Sequence, residues 1–424
     1  MQNIEIIQKL KKDAFYLNRS LGGIDNLKTL KFIKKIIPQL KIKAIQNKKK
    51  VYDWVVPLNW SLNNAYIQDE HGKKIIDFKN NFLHVLNYSS KVNKIISKNE
   101  LLKHLYFSKK NPKAIPYVTS YYKKDWGFCI KYTDLKKFKS KKYKVFIDAK
   151  FEKKALNYGE VFLQGKSKKE VIFSTYICHP NLGNDNFSGI LINTLIAKFT
   201  SKLNRYYSYR FLFIPETIGS LFYIQKNYKN LKKNFLAGYV LSCLGKGDEF
   251  KVLNKYKENL SYKFLKNFLV KSKLKFKEID WKERGSDERQ FSSPNVNLPF
   301  CLITKTKFMD YKEYHTSLDN INFIKNKNIL SSLNSLKQLI SFIELEKIYL
   351  SKFKGEPFLS KRQLYSSTSS SYNKIKKQDL IVNFIDYCDG NNSLREINSK
   401  LGVKNILSNK ILNILIKNNL VAQI

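Results

Sequence analysis

Cysteine is scarce in this chain. Five in 424 residues, Cys129, Cys178, Cys243, Cys301 and Cys388, form no CxxC pair, which excludes a disulfide framework and predicts buried free thiols in a reducing compartment. No apolar run approaches the roughly 18–20 residues of a membrane span, and the opening MQNIEIIQKLKKD lacks the apolar core of a signal peptide. The expected location is therefore cytoplasmic, with no membrane partner. Acidic residues are also few: 34 against 78 basic ones, a net charge of +44. Arginine is rarer still. Only Arg19, Arg205, Arg210, Arg284, Arg289, Arg362 and Arg395 occur, and the excess of lysine over them, with abundant Asn, Ile, Phe and Tyr, fits translation of an AT-rich genome. Most lysines then form a solvated surface that binds polyanions without sequence preference at low salt. Arginine, persisting against that bias, is the more informative cation.

What is present is enough for real cores: 43% hydrophobic and 14% aromatic residues exclude wholesale disorder and collagen-like sequence. At about 150 residues per domain the length predicts two or three domains. Residues 1–50 carry helical periodicity, as in Ile4, Ile7 and Leu10 and then Leu30, Ile33, Ile37 and Leu40. From Val51 to Gly165 the pattern is β-rich: NAYIQDEHGKKIIDF reads as strand, turn, strand, and KKYKVFIDAKF and GEVFLQG as further strands. From Glu170 strands alternate with helices (EVIFSTYI, GILINTLIAKF, YRFLFIP, IGSLFYIQKNY, FLAGYVLSC, LPFCLIT), the rhythm of parallel strands joined by helical crossovers. Residues 351–371, ending in SSTSSS, read as a linker. Three helical segments and LVAQI follow, the outline of a winged helix.

Ligands bind outside the carboxyl ends of parallel strands, and here those ends share one chemistry. The first strand runs into Cys178-His179-Pro180 and Asn184-Asp185-Asn186, and the second into Pro215-Glu216-Thr217. Later loops hold Gly285-Ser286-Asp287-Glu288-Arg289 and Glu313-Tyr314-His315-Thr316-Ser317. Imidazoles and carboxylates on one rim are ligands for zinc or a similar borderline divalent ion. Taken singly, each has a structural explanation. Asp185 can cap a helix, Glu216 can face a helix dipole, His179 can be a hydrogen-bonded core histidine, Asp287 can sit in a turn, and His315 can precede a capped helix. Their joint occurrence at successive strand ends favours a site, since two of the five histidines fall in these loops. His71, His84 and His104 read as surface or turn residues of the β unit.

The runs STYICHPNLGNDNFSG, FLFIPETIGS, RGSDERQFSSP and EYHTSLDN, together with WVVPLNW and IPYVTSYYKKDWGFC, resemble a bacterial aminopeptidase-like family of unassigned function, often associated with polysaccharide biosynthesis and ending in a winged helix. Its catalytic domain is similar to the di-zinc aminopeptidases, and the resemblance spans nearly the whole chain. It implies an α/β fold: a zinc-aminopeptidase-like mixed sheet flanked by helices, with an inserted β-rich domain and a carboxyl-terminal winged helix. The corresponding boundaries are 1–55 with 166–348, 56–165, a linker at 349–371, and 372–424. It also implies His179, Asp185, Asp287 and His315 as metal ligands, Asp185 as the potential bridge, and Glu216 as general base. Two positions depart from the pattern. Thr217 stands where a second, metal-binding glutamate belongs, and Asn181 where an aspartate orients the first histidine. The expectation is one tightly held zinc, with a second weak or absent unless Glu288 or Glu313 substitutes.

The function expected is a zinc-dependent hydrolase of an amide or peptide bond, acting on a peptide or an aminoacyl or amide small molecule. Arg289 pairs with a substrate carboxylate or, equally, holds Glu288 or Glu283. The aromatic run Tyr117 to Trp126 is a lip over the site or part of the β unit's core. The alternative is a catalytically degenerate metal-binding protein acting through its winged helix as a regulatory or interaction factor. Sequence-specific nucleic-acid binding is not expected, because VKNILSNKILNILIKNN spends much of its surface on apolar packing and carries no arginine for guanine. A homo-oligomer is left open.

Overall fold

The computed structural model describes residues 2–364 and 372–424. Its centre is an eight-stranded mixed sheet. In chain order the strands are β1 (Lys41–Ile45), β2 (Leu156–Leu163), β3 (Glu170–Tyr176), β4 (Ser208–Ile214), β5 (Phe235–Leu241), β6 (Phe250–Leu253), β7 (Phe276–Ile279) and β8 (Phe300–Thr304). In space they run β1-β2-β4-β3-β5-β8-β6-β7. The inner four, β4, β3, β5 and β8, are parallel, whereas β1, β2 and β6 join antiparallel.

A strand covered on both faces is largely apolar rather than alternating, which is why EVIFSTYI and FLAGYVLSC read as mostly hydrophobic runs broken only by small polar residues and the paired Glu170. Their alternate side chains feed separate cores. Val171, Phe173, Phe211, Phe213, Tyr239 and Ile303 pack with α1 (Asn3–Asp13), α2 (Ile24–Ile36), α3 (Ser188–Thr200), α5 (Leu260–Lys271) and α6 (Asn326–Leu345). Ile172, Leu212, Ile214, Val240 and Leu302 face the other way, onto α4 (Ile218–Asn234) and an antiparallel four-stranded unit. That unit orders its strands as Lys74–Asp77, Asn59–Asp69, Lys142–Glu152 and Val92–Ser97.

GEVFLQG, grouped with the β unit in the sequence reading, instead supplies β2, whose Gly159–Leu163 pair with β4. A Cβ at 159 would lie 2.7 Å from Leu30 Cδ2 and 3.0 Å from Leu40 Cδ1, so a larger residue would need those side chains to move. The amino-terminal region is likewise not all helix, since Lys41–Ile45 forms the sheet edge.

The carboxyl-terminal unit has helices Tyr372–Asp386, Leu394–Leu401 and Asn405–Lys417. Its three-stranded sheet includes Ile348–Ser351, a strand preceding most of the expected linker; the SSTSSS stretch lies outside the described residues. Ser393 and Glu396 form a reciprocal capping box that starts the second helix, and Gly402 in the left-handed region ends it. Arg395 pairs with buried Glu346 at 3.0 Å, tying this unit to the end of α6. Among the described residues no helix is long and apolar enough to cross a membrane.

One ionic knot crosses the sheet. Arg210 on β4 grips Glu170 bidentately at 2.8 and 2.9 Å and also contacts Glu160. Both carboxylates are nearly solvent-free. Breaking a buried pair leaves an uncompensated charge, so Arg210→Met should lower the unfolding free energy by about 3–5 kcal/mol in urea titrations; a loss below about 1 kcal/mol would mean that the remaining partners, Lys43 on Glu160 and Asn230 on Glu170, suffice.

Candidate functional site

The parallel strands end on one rim. β3 delivers Tyr176, Cys178 and His179 and then the Gly183–Phe187 turn that opens α3; β4 delivers Pro215, Glu216 and Thr217 before α4. Asp287 precedes the short helix Glu288–Phe291, and His315 lies in the loop between β8 and α6. His179, Asp185 and His315 place ligand atoms within 4.8 Å of one another, and Cys178, His179 and Glu216 form an overlapping group. His179 Nδ1 is 4.0 Å from Asp185 Oδ1 and Nε2 is 3.8 Å from Glu216 Oε2.

His315 Nε2 approaches Asp185 Oδ2 to 2.9 Å, yet neither atom makes an aligned hydrogen bond, and His179 Nδ1 is also buried without a partner. Buried polar atoms are ordinarily satisfied. Three orphaned donor atoms converging on one point fit a metal ion, and two imidazoles with a carboxylate fit zinc.

The electrostatics agree. Burial lowers His179 to about 4, keeping the imidazole neutral as a ligand must be. Burial alone would raise Asp185, but His179, His315 and the Tyr176 hydroxyl outweigh it and hold the carboxylate at about 2. Glu216 is pushed well up by lost solvation and then by Asp287 and Asp185. Ser286 Oγ donates to its Oε1 at 2.9 Å.

Asp287 lies outside the 4.8 Å group. Its Oδ1 accepts from the Thr217 amide at 2.7 Å and Ser220 Oγ at 2.8 Å, while Oδ2 is buried and unpaired. Glu288 turns back to accept the Gly285 and Ser286 amides at 3.0 and 3.1 Å, and neither it nor Glu313 joins a metal-binding group among the described residues. Arg289 makes neither expected ion pair: Glu283 is taken by Lys307 at 2.7 Å, and Arg289 Nη2 donates only to Thr217 Oγ1 at 3.3 Å. His71 is exposed in its turn and His104 stacks on Trp126 at 3.6 Å. His84, expected at a surface or turn, is buried against the Cys129 carbonyl at 2.8 Å.

The inserted unit closes the rim. A cavity of about 290 Å³ is bounded by His179, Glu216, Arg289 and His315 below and by Trp54, Tyr117, Tyr121 and Tyr122 above. Tyr117 stands edge-on to both imidazoles, 5.3 Å from His179 and 5.2 Å from His315, and its amide donates to the His315 carbonyl at 2.7 Å. The start of the aromatic run is thus a lip on the site.

Four residues escaped the sequence reading as parts of the site: Tyr176, Ser286, Asp319 and Trp54. Asp319 anchors the turn carrying Asp185, accepting the Asn184 and Asp185 amides at 2.6 and 3.0 Å and the Tyr311 hydroxyl at 3.1 Å. Its signal was its place four residues after His315 in EYHTSLDN; Tyr176 had only a phenol tip at the end of a largely apolar strand.

Fold and site together define an aminopeptidase-like protein. Residues 8–346 match the domain of unknown function DUF4910 and residues 347–423 a winged helix-turn-helix, and the chain belongs to the DUF4910 family. A Clostridium acetobutylicum protein named "Putative polysaccharide biosynthesis protein with aminopeptidase-like domain" is 36% identical over 400 residues, 94% of this chain and 92% of that one. A crystal structure of a "putative peptidase" from Clostridium acetobutylicum is 34% identical with a TM-score of 0.80, over 100% of this chain and 96% of that one. The fold is shared with a zinc aminopeptidase from Bacillus subtilis (12% identity, TM-score 0.57, 80% and 93% covered). It is shared equally with a peptidase M28 precursor from Shewanella amazonensis (12%, 0.55, 84% and 94%).

The Asp319 anchor is testable. Asp319→Ala strands two buried amides and should reduce the unfolding free energy by about 3 kcal/mol, read by chemical denaturation; an unchanged midpoint would show that the turn is held elsewhere.

Proposed function

We propose that the protein is a zinc-dependent hydrolase of an amide bond. The observation that carries this reading is the convergence of unpaired His179 Nδ1, Asp185 Oδ2 and His315 Nε2 beside Glu216. His179, Asp185 and His315 would hold the zinc, with Asp287 Oδ2, buried and unpaired but outside that group, as a further donor; when bound, the ion would supply the Lewis acidity that makes a water nucleophilic near neutral pH and polarises a carbonyl. The protein's own work falls to Glu216. Its raised pKa suits a group that accepts the water's proton and returns it to the leaving amine, so that one water and one amide become a carboxylate and an amine. Ser286 fixes the carboxylate's orientation. Tyr176 and the two imidazoles keep Asp185 ionised.

Thr217 in place of a second glutamate supports a single tight zinc. A peptide, or an aminoacyl or amide group on a sugar-derived molecule, is the substrate class; the sugar alternative takes its support from the name of the Clostridium relative. The winged helix suits protein contact better than base reading: the helix Asn405–Lys417 exposes Ile406, Leu407 and Ile416 and has no arginine.

Elemental analysis of untagged protein should give about one zinc per chain, lost in His179→Ala and Asp185→Ala. Glu216→Gln should keep the metal while turnover falls by about 10²–10⁴-fold. Protein that takes up no zinc when supplied with it would remove the hydrolase reading and leave the degenerate, winged-helix one.

A further inference from the structure

The cavity's charge is lopsided in an informative way. Its lining has one carboxylate, Glu216, and one permanent cation, Arg289; no lysine reaches it, although lysine dominates the 78 basic residues of the chain. The Arg289 fork is exposed and spends one weak hydrogen bond on Thr217. No carboxylate lies within 4.0 Å of it among the described residues.

A free amino terminus would meet the wrong surroundings. It needs a carboxylate acceptor, and the only one lining the cavity is the proton carrier Glu216. Asp185 is buried, with Oδ1 taken by Tyr176 and Oδ2 in the proposed metal position, and Asp287 and Glu288 are buried and bonded to backbone amides. Arg289 would repel an ammonium. A carboxylate, by contrast, matches the guanidinium fork in charge and geometry. The rest of the cavity is an aromatic wall, with Trp54 edge-on to Tyr122 at 5.9 Å and the Tyr122 hydroxyl pinned to the Val55 carbonyl at 2.9 Å.

From the unpaired Arg289 fork in a cavity with no spare carboxylate, we infer that the site takes amides bearing a carboxylate beside the scissile bond, such as N-acyl amino acids or the carboxyl-terminal residue of a peptide, and not free amino termini. This inference rests on the amide-hydrolase reading. The reaction it implies balances simply: water adds its oxygen to the acyl carbon, the C–N bond breaks, Glu216 carries the proton to nitrogen, and an acid and an amino acid leave.

The test is calorimetric binding to zinc-loaded Glu216→Gln protein, which separates recognition from turnover. The probes are N-acetyl-L-phenylalanine, its neutral carboxamide, and L-phenylalaninamide with its free amine. The acid should bind at least about tenfold tighter than either, the size of a lost charge-assisted pair. Adding Arg289→Met should abolish that preference and Arg289→Lys should keep part of it. Equal binding of acid and carboxamide, preference for the free amine, no saturable binding of the acid, or a preference that survives Arg289→Met would each overturn the inference. The two readings fail separately. Arg289-dependent binding of N-acetyl-L-phenylalanine without any cleavage by the unmodified enzyme keeps the carboxylate subsite and removes the hydrolase. Cleavage of L-phenylalanine p-nitroanilide at a rate indifferent to Arg289 does the reverse.

Discussion

Carboxylates crowded at the ends of buried strands repel one another and lose solvation together, and much of this fold is arranged around containing that cost. Asp185, Asp287 and Glu288 are buried, and Glu216 opens on the cavity next to them. Each is answered differently. Asp287 takes the Thr217 amide and Ser220, which binds the end of β4 to the turn before β8. Glu288 folds back on the Gly285 and Ser286 amides. Asp185 has a phenol and two imidazoles. Glu216 receives one serine hydroxyl. The result is a division between one carboxylate held at about 2 and another pushed well above its ordinary range. Neighbouring carboxyl groups driven apart in this way suit separate duties, and that is the physical basis for the proposed pairing of a permanent anion at Asp185 with a proton carrier at Glu216.

A buried guanidinium lies beneath the site. Arg19 donates to the His179 carbonyl at 3.0 Å and to the carbonyls of Ala14 and Phe15 just after α1, and lies over the Phe187 ring at 5.3 Å. Burial lowers it only to about 10, so it remains charged at neutral pH. It fastens the amino-terminal helix to the backbone of a ligand loop. From above, the inserted unit reaches the same residues through Tyr117 and the 2.7 Å bond to the His315 carbonyl. Two distant stretches of chain are thus pinned to the two histidines.

Strand ends were legible because a doubly covered parallel strand has a plain apolar signature and its terminus is where polarity resumes. His179, Asp185, Glu216, Asp287 and His315 all followed from that rule and from the motifs around them. Less legible were residues whose partners lie far away in sequence. Asp319 serves amides 134 and 135 positions earlier, and its one local signal, a place four residues after His315, does not say which backbone it holds. GEVFLQG has the same composition whether it closes the β unit or enters the large sheet; pairing with β1 and β4 decides it, through Gly159 admitting Leu30 and Leu40. The fate of Arg289 was undecidable for a similar reason, since Lys307 claims Glu283 from a separate loop.

Arginine usage links these observations. In a chain biased toward lysine, arginine persists where a planar fork of donors does something a point charge cannot. Arg19 and Arg205 collect several backbone carbonyls each, and Arg210 holds a carboxylate bidentately between strands. In those three the protein itself supplies oxygens to most of the fork, although Arg19 Nη2 and Arg205 Nε are buried without a partner. Arg289 faces the cavity with a single weak bond to a threonine hydroxyl, and that surplus of donors is what the proposed carboxylate subsite rests on.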